Sequence, residues 1–311
     1  MYINIFIHKQ KWLIYFLVFI MFHSAGVAQE LLRKNLYWNN GAHYNPAYLG
    51  YGSMFQASFQ STLSSQELAP GYSLVNVGGS VASNLKLGFT FASENQGNYS
   101  NNNIQGGYAF SFGNKTSQVT FGMTVGVILS NFETVDYNTN PYVDPSDPFL
   151  VGNGFRRNNF VMGVGAIYEW NKIEMGLAAP VLLRDGGELY TNLNFKVQYP
   201  INIGSDLQIS PIGFVQYTDV GLDFYDLSAL TEWRETVWIL AGYRSDEQLN
   251  TGLGFSKEGF GLGYTLVLSF GEYQALNPFI HELMLTFSMP EKDLKNNNFK
   301  NAVKSLKRKR K

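Results

Sequence analysis

Between residues 53 and 288 the sequence repeats one pattern fourteen times: a stretch of about 8–13 residues with strand character, then a break. The breaks alternate in kind. Tight polar ones occur at Ser83-Asn84, Asn114-Lys115, Asn171-Lys172 and Lys257-Glu258. Longer ones rich in Asn, Gly, Asp and Pro occupy 62–72, 93–103, 131–158, 180–189 and 271–278. Short turns on one side and long loops on the other are the signature of an antiparallel β-barrel that crosses a membrane, where only one rim is elaborated. An open sheet would not serve in lipid, because its edge amides would have no partners.

The stretches read as strands over 53–61, 73–82, 85–92, 104–112, 117–130, 160–170, 172–179, 190–199, 206–217, 222–230, 233–243, 248–256, 259–269 and 280–288. Their side chains alternate. In 118–129, Val119, Phe121, Met123, Val125, Val127 and Leu129 share one face, and Gln118, Thr120, Gly122, Thr124 and Gly126 the other, with Ile128 the exception. In 260–270, Phe260, Leu262, Tyr264, Leu266, Leu268 and Phe270 share a face. In 279–287, His281 falls with Phe279, Leu283, Leu285 and Phe287. A period of two with one continuous apolar face fits a wall with lipid outside. Gly and small polar residues on the second face suit a lumen that is either crowded or water-filled. An even strand count places both ends on one rim, expected to be the periplasmic one. The region 218–232 and the short segment 172–179 leave twelve strands as an alternative to fourteen.

Composition agrees. The chain has 24 Phe, 19 Tyr and 31 Gly, and its charged fraction is 15%, against about 25% in soluble domains. Past the N-terminus no run of about 18 apolar residues occurs, which excludes helical spans. A secreted β-sandwich shares part of this composition. Aromatics near strand ends, including Tyr72, Tyr108, Tyr168, Trp170, Tyr190, Tyr199, Tyr217, Trp233, Tyr243 and Tyr264, suit the headgroup level.

Four segments are expected. Residues 1–28 read as a signal peptide: Lys9 and Lys11 precede the apolar run 12–22, and small residues lead to a cleavage site near Ala28-Gln29. Residues 29–52 read as an N-terminal periplasmic segment, 53–289 as the barrel, and 290–311 as a basic periplasmic tail. The tail break is marked. Residues 291–311 hold nine Lys/Arg and two acids, while 30–290 hold 12 Lys/Arg against 22 Asp/Glu.

Catalytic chemistry finds little support. There is no Cys, and only His43 and His281 lie beyond the leader. No His-rich metal motif, nucleophile elbow or phosphate-binding loop is present, so no cofactor, metal site or catalytic residue is expected. His281 and Glu282 point to opposite faces of one strand. The acids Asp136, Asp144 and Asp147 match no EF-hand spacing. The same loop carries Phe132, Tyr137, Tyr142, Phe149 and Phe155 among polar residues, which suits protein contact. Lys307, Arg308, Lys309, Arg310 and Lys311 suit an acidic protein or envelope surface rather than nucleic acid.

Five segments, in order, resemble one family. Asn45-Pro46-Ala47-Tyr48-Leu49-Gly50 is similar to the "NPAYxG" opening of the PorP/SprF family. Residues 161–183, 190–217 and 237–244 resemble its inner strands, and His281-Glu282-Leu283-Met284-Leu285 its closing "HEiML". The family's "RxQW" is replaced by Ala57-Ser58-Phe59-Gln60, Phe279-Ile280 precede the closing motif in place of Gly-Ser, Tyr264-Thr265 stands for Tyr-Asp, and the basic tail is additional. The resemblance implies an outer-membrane protein tied to type IX secretion and gliding motility in Bacteroidota. Implied partners are outer-membrane lipid and lipopolysaccharide, a secreted client adhesin, and periplasmic components of the machine. It implies a non-enzymatic role; the competing reading is a passive porin or small-solute transporter. Charges on the inward face are few, such as Lys86, Glu169 and Lys196, and the sequence leaves open whether the lumen is open or plugged.

Overall fold

The computed structural model describes residues 37–38, 40–63, 71–114, 116–132, 155–184, 188–189, 192–218, 221–270 and 279–290. Sixteen strands run β1 Ser53–Leu63, β2 Gly71–Ser80, β3 Leu85–Gln96, β4 Tyr99–Gly113, β5 Ser117–Phe132, β6 Phe155–Trp170, β7 Ile173–Arg184, β8 Glu188–Leu189, β9 Asn192–Gln198, β10 Ile201–Ile203, β11 Leu207–Thr218, β12 Gly221–Trp233, β13 Val237–Arg244, β14 Gln248–Lys257, β15 Phe260–Ser269 and β16 Phe279–Pro290. All neighbours pair antiparallel, in sequence order, from β11 through β16 to β1 and on to β7. β9 then pairs with both β7 and β11 and closes the circle. The short β8 and β10 extend that same position, so the wall is a closed antiparallel barrel of fourteen staves. The twelve-strand alternative falls: β7 runs on to Arg184, and 218–232 holds the last residue of β11 and nearly all of β12, which pair with each other.

Ser53 pairs with Pro290. Both ends of the barrel therefore lie on one rim, the rim that carries the tight turns after β2, β4, β6, β10, β12 and β14. The other rim carries the ends of β1, β5 and β15 and the starts of β2, β6 and β16; the linkers 64–70, 133–154 and 271–278 lie outside the described residues. One expected long loop does not exist. Residues 93–103 continue β3 and β4 to a turn at Gly97, whose φ is +56°. The asparagines there suggest a loop, but Asn101 and Asn103 alternate inward with Gln105 and are buried, so the segment is ordinary two-faced strand.

The outer face is apolar. Phe59, Leu87, Phe121, Leu177, Leu227, Ile239, Leu253 and Leu262 are exposed, Leu253 at 61%. Trp170, Tyr199 and Trp233 stand outward beside the tight turns, and Tyr217, Tyr243 and Phe279 toward the opposite rim. Tyr72 departs from the expected aromatic belt: it faces inward, is 2% exposed, and meets Gln60.

Of the expected N-terminal segment 29–52, the structure describes residues 37–38 and 40–52. They enter the barrel. Of two 3₁₀ turns, η2 Pro46–Tyr48 sits against β4, β5 and β6, and η1 Gly41–His43 packs on η2. The segment buries Tyr37, Ala42, Ala47 and Leu49 within the lumen. Aromatic and aliphatic side chains in a lumen facing water would leave apolar area wet; packing them on inward residues of the wall removes it.

Candidate functional site in the barrel lumen

Residues 37–52 form a strap whose own hydrogen bonds fold it tightly. Tyr44 N and Asn45 N donate to Gly41 O, Tyr48 N to Asn45 O, and Leu49 N to Pro46 O. Asn45 is extended at φ −149°, and its Oδ1 accepts from Ala47 N at 2.9 Å, the N-cap role for which Asn is suited. Pro46 follows at the first helical position, where a missing N–H costs nothing.

The wall makes room through glycines. A Cβ on Gly122 would overlap the Pro46 carbonyl, and one on Gly165 would overlap the Asn45 amide. A Cβ on Gly88 would lie 2.6 Å from Leu49 Cδ2. Gly50 crosses Gly78 and Gly79 backbone to backbone; its φ is +62°, and a Cβ there would lie 2.7 Å from Gly79 N. The glycines of the inward face thus form a socket for the Asn45–Gly50 motif rather than a bare pore lining.

The lumen has two characters. Along β11–β13 and β16 it is apolar: Ile212, Phe214, Phe224, Leu230, Trp238, Leu240 and Met284 cluster with Tyr37, and Trp38 and Tyr44 pack against them. Trp38 meets Trp238 edge-to-face at 4.9 Å, and the Tyr37 ring lies 4.7 Å from that of Phe214. Beside it, on the adjoining β7 and β9, stands a charged hub, with Lys196 the register partner of Phe214. Glu174 Oε1 accepts from Tyr48 OH at 2.5 Å and from Lys196 Nζ at 3.0 Å, and Oε2 accepts from Tyr51 OH at 3.2 Å. Lys86 Nζ lies 5.1 Å from the centroid of the Tyr51 ring.

Two further buried groups hold the strap. Tyr37 OH donates to Asp226 Oδ1 at 2.9 Å. Asp226 also receives Asn250 Nδ2 at 2.7 Å and Ser228 Oγ, and faces Arg244 Nε at 3.7 Å. Arg244 and Asp226 are fully buried. Asn40 bonds to Ser58, Gln60 and Asn76. Gln60 Nε2 then donates to Glu282 Oε2 at 3.2 Å, which also accepts from Thr265 Oγ1 at 3.2 Å.

The sequence-derived positions separate accordingly. Asn45, Pro46, Ala47, Tyr48 and Gly50 come together as the strap. Glu282 is fully buried inside, linked to the strap through Gln60 and Asn40. His281 faces outward, where its Nδ1 lies 2.6 Å from Tyr264 OH. Phe132 and Phe155 are register partners at the long-loop ends of β5 and β6. Tyr137, Tyr142, Phe149, Lys307, Arg308, Lys309, Arg310 and Lys311 lie outside the described residues. Sequence reading passed over Tyr37, Tyr51, Glu174, Asp226 and Arg244. The available signal was parity: Glu174 shares its strand face with Gly176 and Ala178, and Arg244 shares one with Trp238, Leu240 and Gly242.

Residues 26–287 match the family described as type IX secretion system membrane protein PorP/SprF. The chain belongs to the PorP/SprF family. Among solved structures, the CymD monoaromatic hydrocarbon channel is similar over 81% of this chain and 93% of its own, with 11% identity and a TM-score of 0.53. The Acinetobacter baumannii outer membrane protein Omp33 aligns over 77% of this chain and all of its own, with 8% identity and a TM-score of 0.47. No curated protein matches. At such identities CymD speaks for the fold alone. Family and fold agree that this PorP/SprF protein is an outer-membrane β-barrel of the type IX secretion system.

Proposed function

We propose that this protein is a non-enzymatic docking platform that supports secretion or surface attachment of particular type IX clients, adhesins among them, and that it serves the gliding machinery. The observation that carries the reading is the occupied lumen. A family motif seated on a glycine socket occupies lumen space that a passive porin leaves to solute. Partner contact then falls to the rims. In this reading the tight-turn rim and both barrel ends face the periplasm, residues 1–28 are a cleaved leader, the loop 131–158 with Phe132, Tyr137, Tyr142, Phe149 and Phe155 meets the client outside, and the basic tail meets acidic components of the machine inside.

The test pairs two measurements. Purified protein in planar bilayers gives no large, steady conductance, and deletion of the gene removes one or a few proteins from the surface proteome while general secretion continues. A steadily open channel in the unaltered protein, or an unchanged surface proteome, overturns the reading.

A further inference from the structure

We infer that the strap is a displaceable stopper and that the barrel has a second, conducting state in which residues 37–52 have left the lumen. Four observations carry this. First, the barrel closes without the strap: β1 pairs with β16 over Ser53–Pro290 through Leu63–His281, and β9 completes the circle between β7 and β11.

Second, none of the strap's described residues joins a ladder. Its backbone bonds are internal. Its bonds to the wall each use a side chain: Tyr37 to Asp226, Asn40 to Gln60 and Asn76, Asn45 to the Ala166 carbonyl at 3.1 Å, Tyr48 and Tyr51 to Glu174, and Asn194 Nδ2 to the Tyr44 carbonyl at 3.0 Å. Such a segment leaves without unzipping any sheet.

Third, two of the buried cations behind it are partnered within the wall. Lys196 pairs with Glu174, and Arg244 with Asp226. These two pairs survive departure of the strap, so Lys196 and Arg244 meet water with their counter-ions beside them rather than as stranded ions. Fourth, the socket beneath the Asn45–Gly50 motif is made of Gly78, Gly88, Gly122 and Gly165, positions that carry no side chain. Fourteen staves exceed the eight that side chains alone fill and approach the sixteen of water-filled porins.

Closure is the resting state because departure wets Tyr37, Trp38, Tyr44 and the aromatic wall they cover. The conducting state passes ions and small polar solutes. It is independent of which client the rims engage.

The test uses the full-length protein in planar bilayers. The combined variant Tyr37→Phe, Tyr48→Phe, Tyr51→Phe keeps the rings and removes the three hydroxyl anchors. Its open time rises about tenfold or more over the unaltered protein. Leu49→Cys with Gly88→Cys is then added; a Cβ at residue 88 lies 3.3 Å from Leu49 Cβ, near the spacing of a disulfide. The chain has no other cysteine. Oxidation silences the triple variant and dithiothreitol restores its openings. Where the triple variant fails the heat-shift test for a folded barrel, Gly122→Val replaces it, ejecting Pro46 by steric overlap. Folded variants as silent as the parent, or openings that persist with the disulfide formed, overturn the inference. Silence of the parent and of both variants leaves the docking role standing and refutes only the stopper.

Discussion

Glu174→Ala isolates the charged hub of the lumen. Lys196 is 9% exposed and Glu174 19% exposed, so the pair is largely dry. Removing the carboxylate while the strap stays seated leaves the Lys196 ammonium buried without its counter-ion and the Tyr48 hydroxyl without its acceptor, while Tyr51 keeps Glu169 as a partner. Breaking a buried pair from one side costs about 3–5 kcal/mol. Most of that cost applies only to the seated state, because departure of the strap lets water reach Lys196. The free energy of strap opening therefore falls by roughly 3–5 kcal/mol, and at about 1.4 kcal/mol per decade the amides of Tyr44, Asn45, Tyr48 and Leu49 exchange roughly 100 to 4,000 times faster. Hydrogen exchange by mass spectrometry in lipid nanodiscs reads this directly, with β4 and β5 as internal controls. Adding Lys196→Met removes the stranded charge and returns about 2 kcal/mol. Unchanged strap exchange in Glu174→Ala, a double variant no slower than the single, or acceleration spread evenly through β4 and β5 would refute the reasoning.

The adjacent residues His281 and Glu282 predict opposite outcomes. Glu282→Ala strands Gln60 and Thr265 and lowers barrel stability by about 2–3 kcal/mol, whereas His281→Leu on the lipid face changes it by less than about 1 kcal/mol; urea midpoints in liposomes compare them. Deleting 291–311 leaves an inserted barrel and weakens co-purification with periplasmic partners, and an identical partner list from both forms counts against the tail's assigned role.

The wall was legible because its code is local. Each stave alternates with period two, and Val119 to Leu129 declares its lipid face without reference to any neighbour. Asn101 and Asn103 misled because polarity alone does not separate a loop from the inward face of a strand; only their parity with Gln105 does. The strap was illegible for a different reason. Asn45-Pro46 announces a capped turn, but nothing local states that the turn faces Gly122 and Gly165, more than 75 residues away. The glycines carried the missing information as absent side chains. Their shared parity signals a crowded interior, and the contact identifies the segment that crowds it.

The most direct test of the whole account is whether residue 49 touches residue 88 in native outer membranes. Leu49→Cys with Gly88→Cys, oxidised in whole cells and digested, is predicted to yield a cross-linked peptide joining the strap to β3 in most of the protein. Free thiols at both positions after oxidation, in a barrel that is folded and inserted, would contradict it.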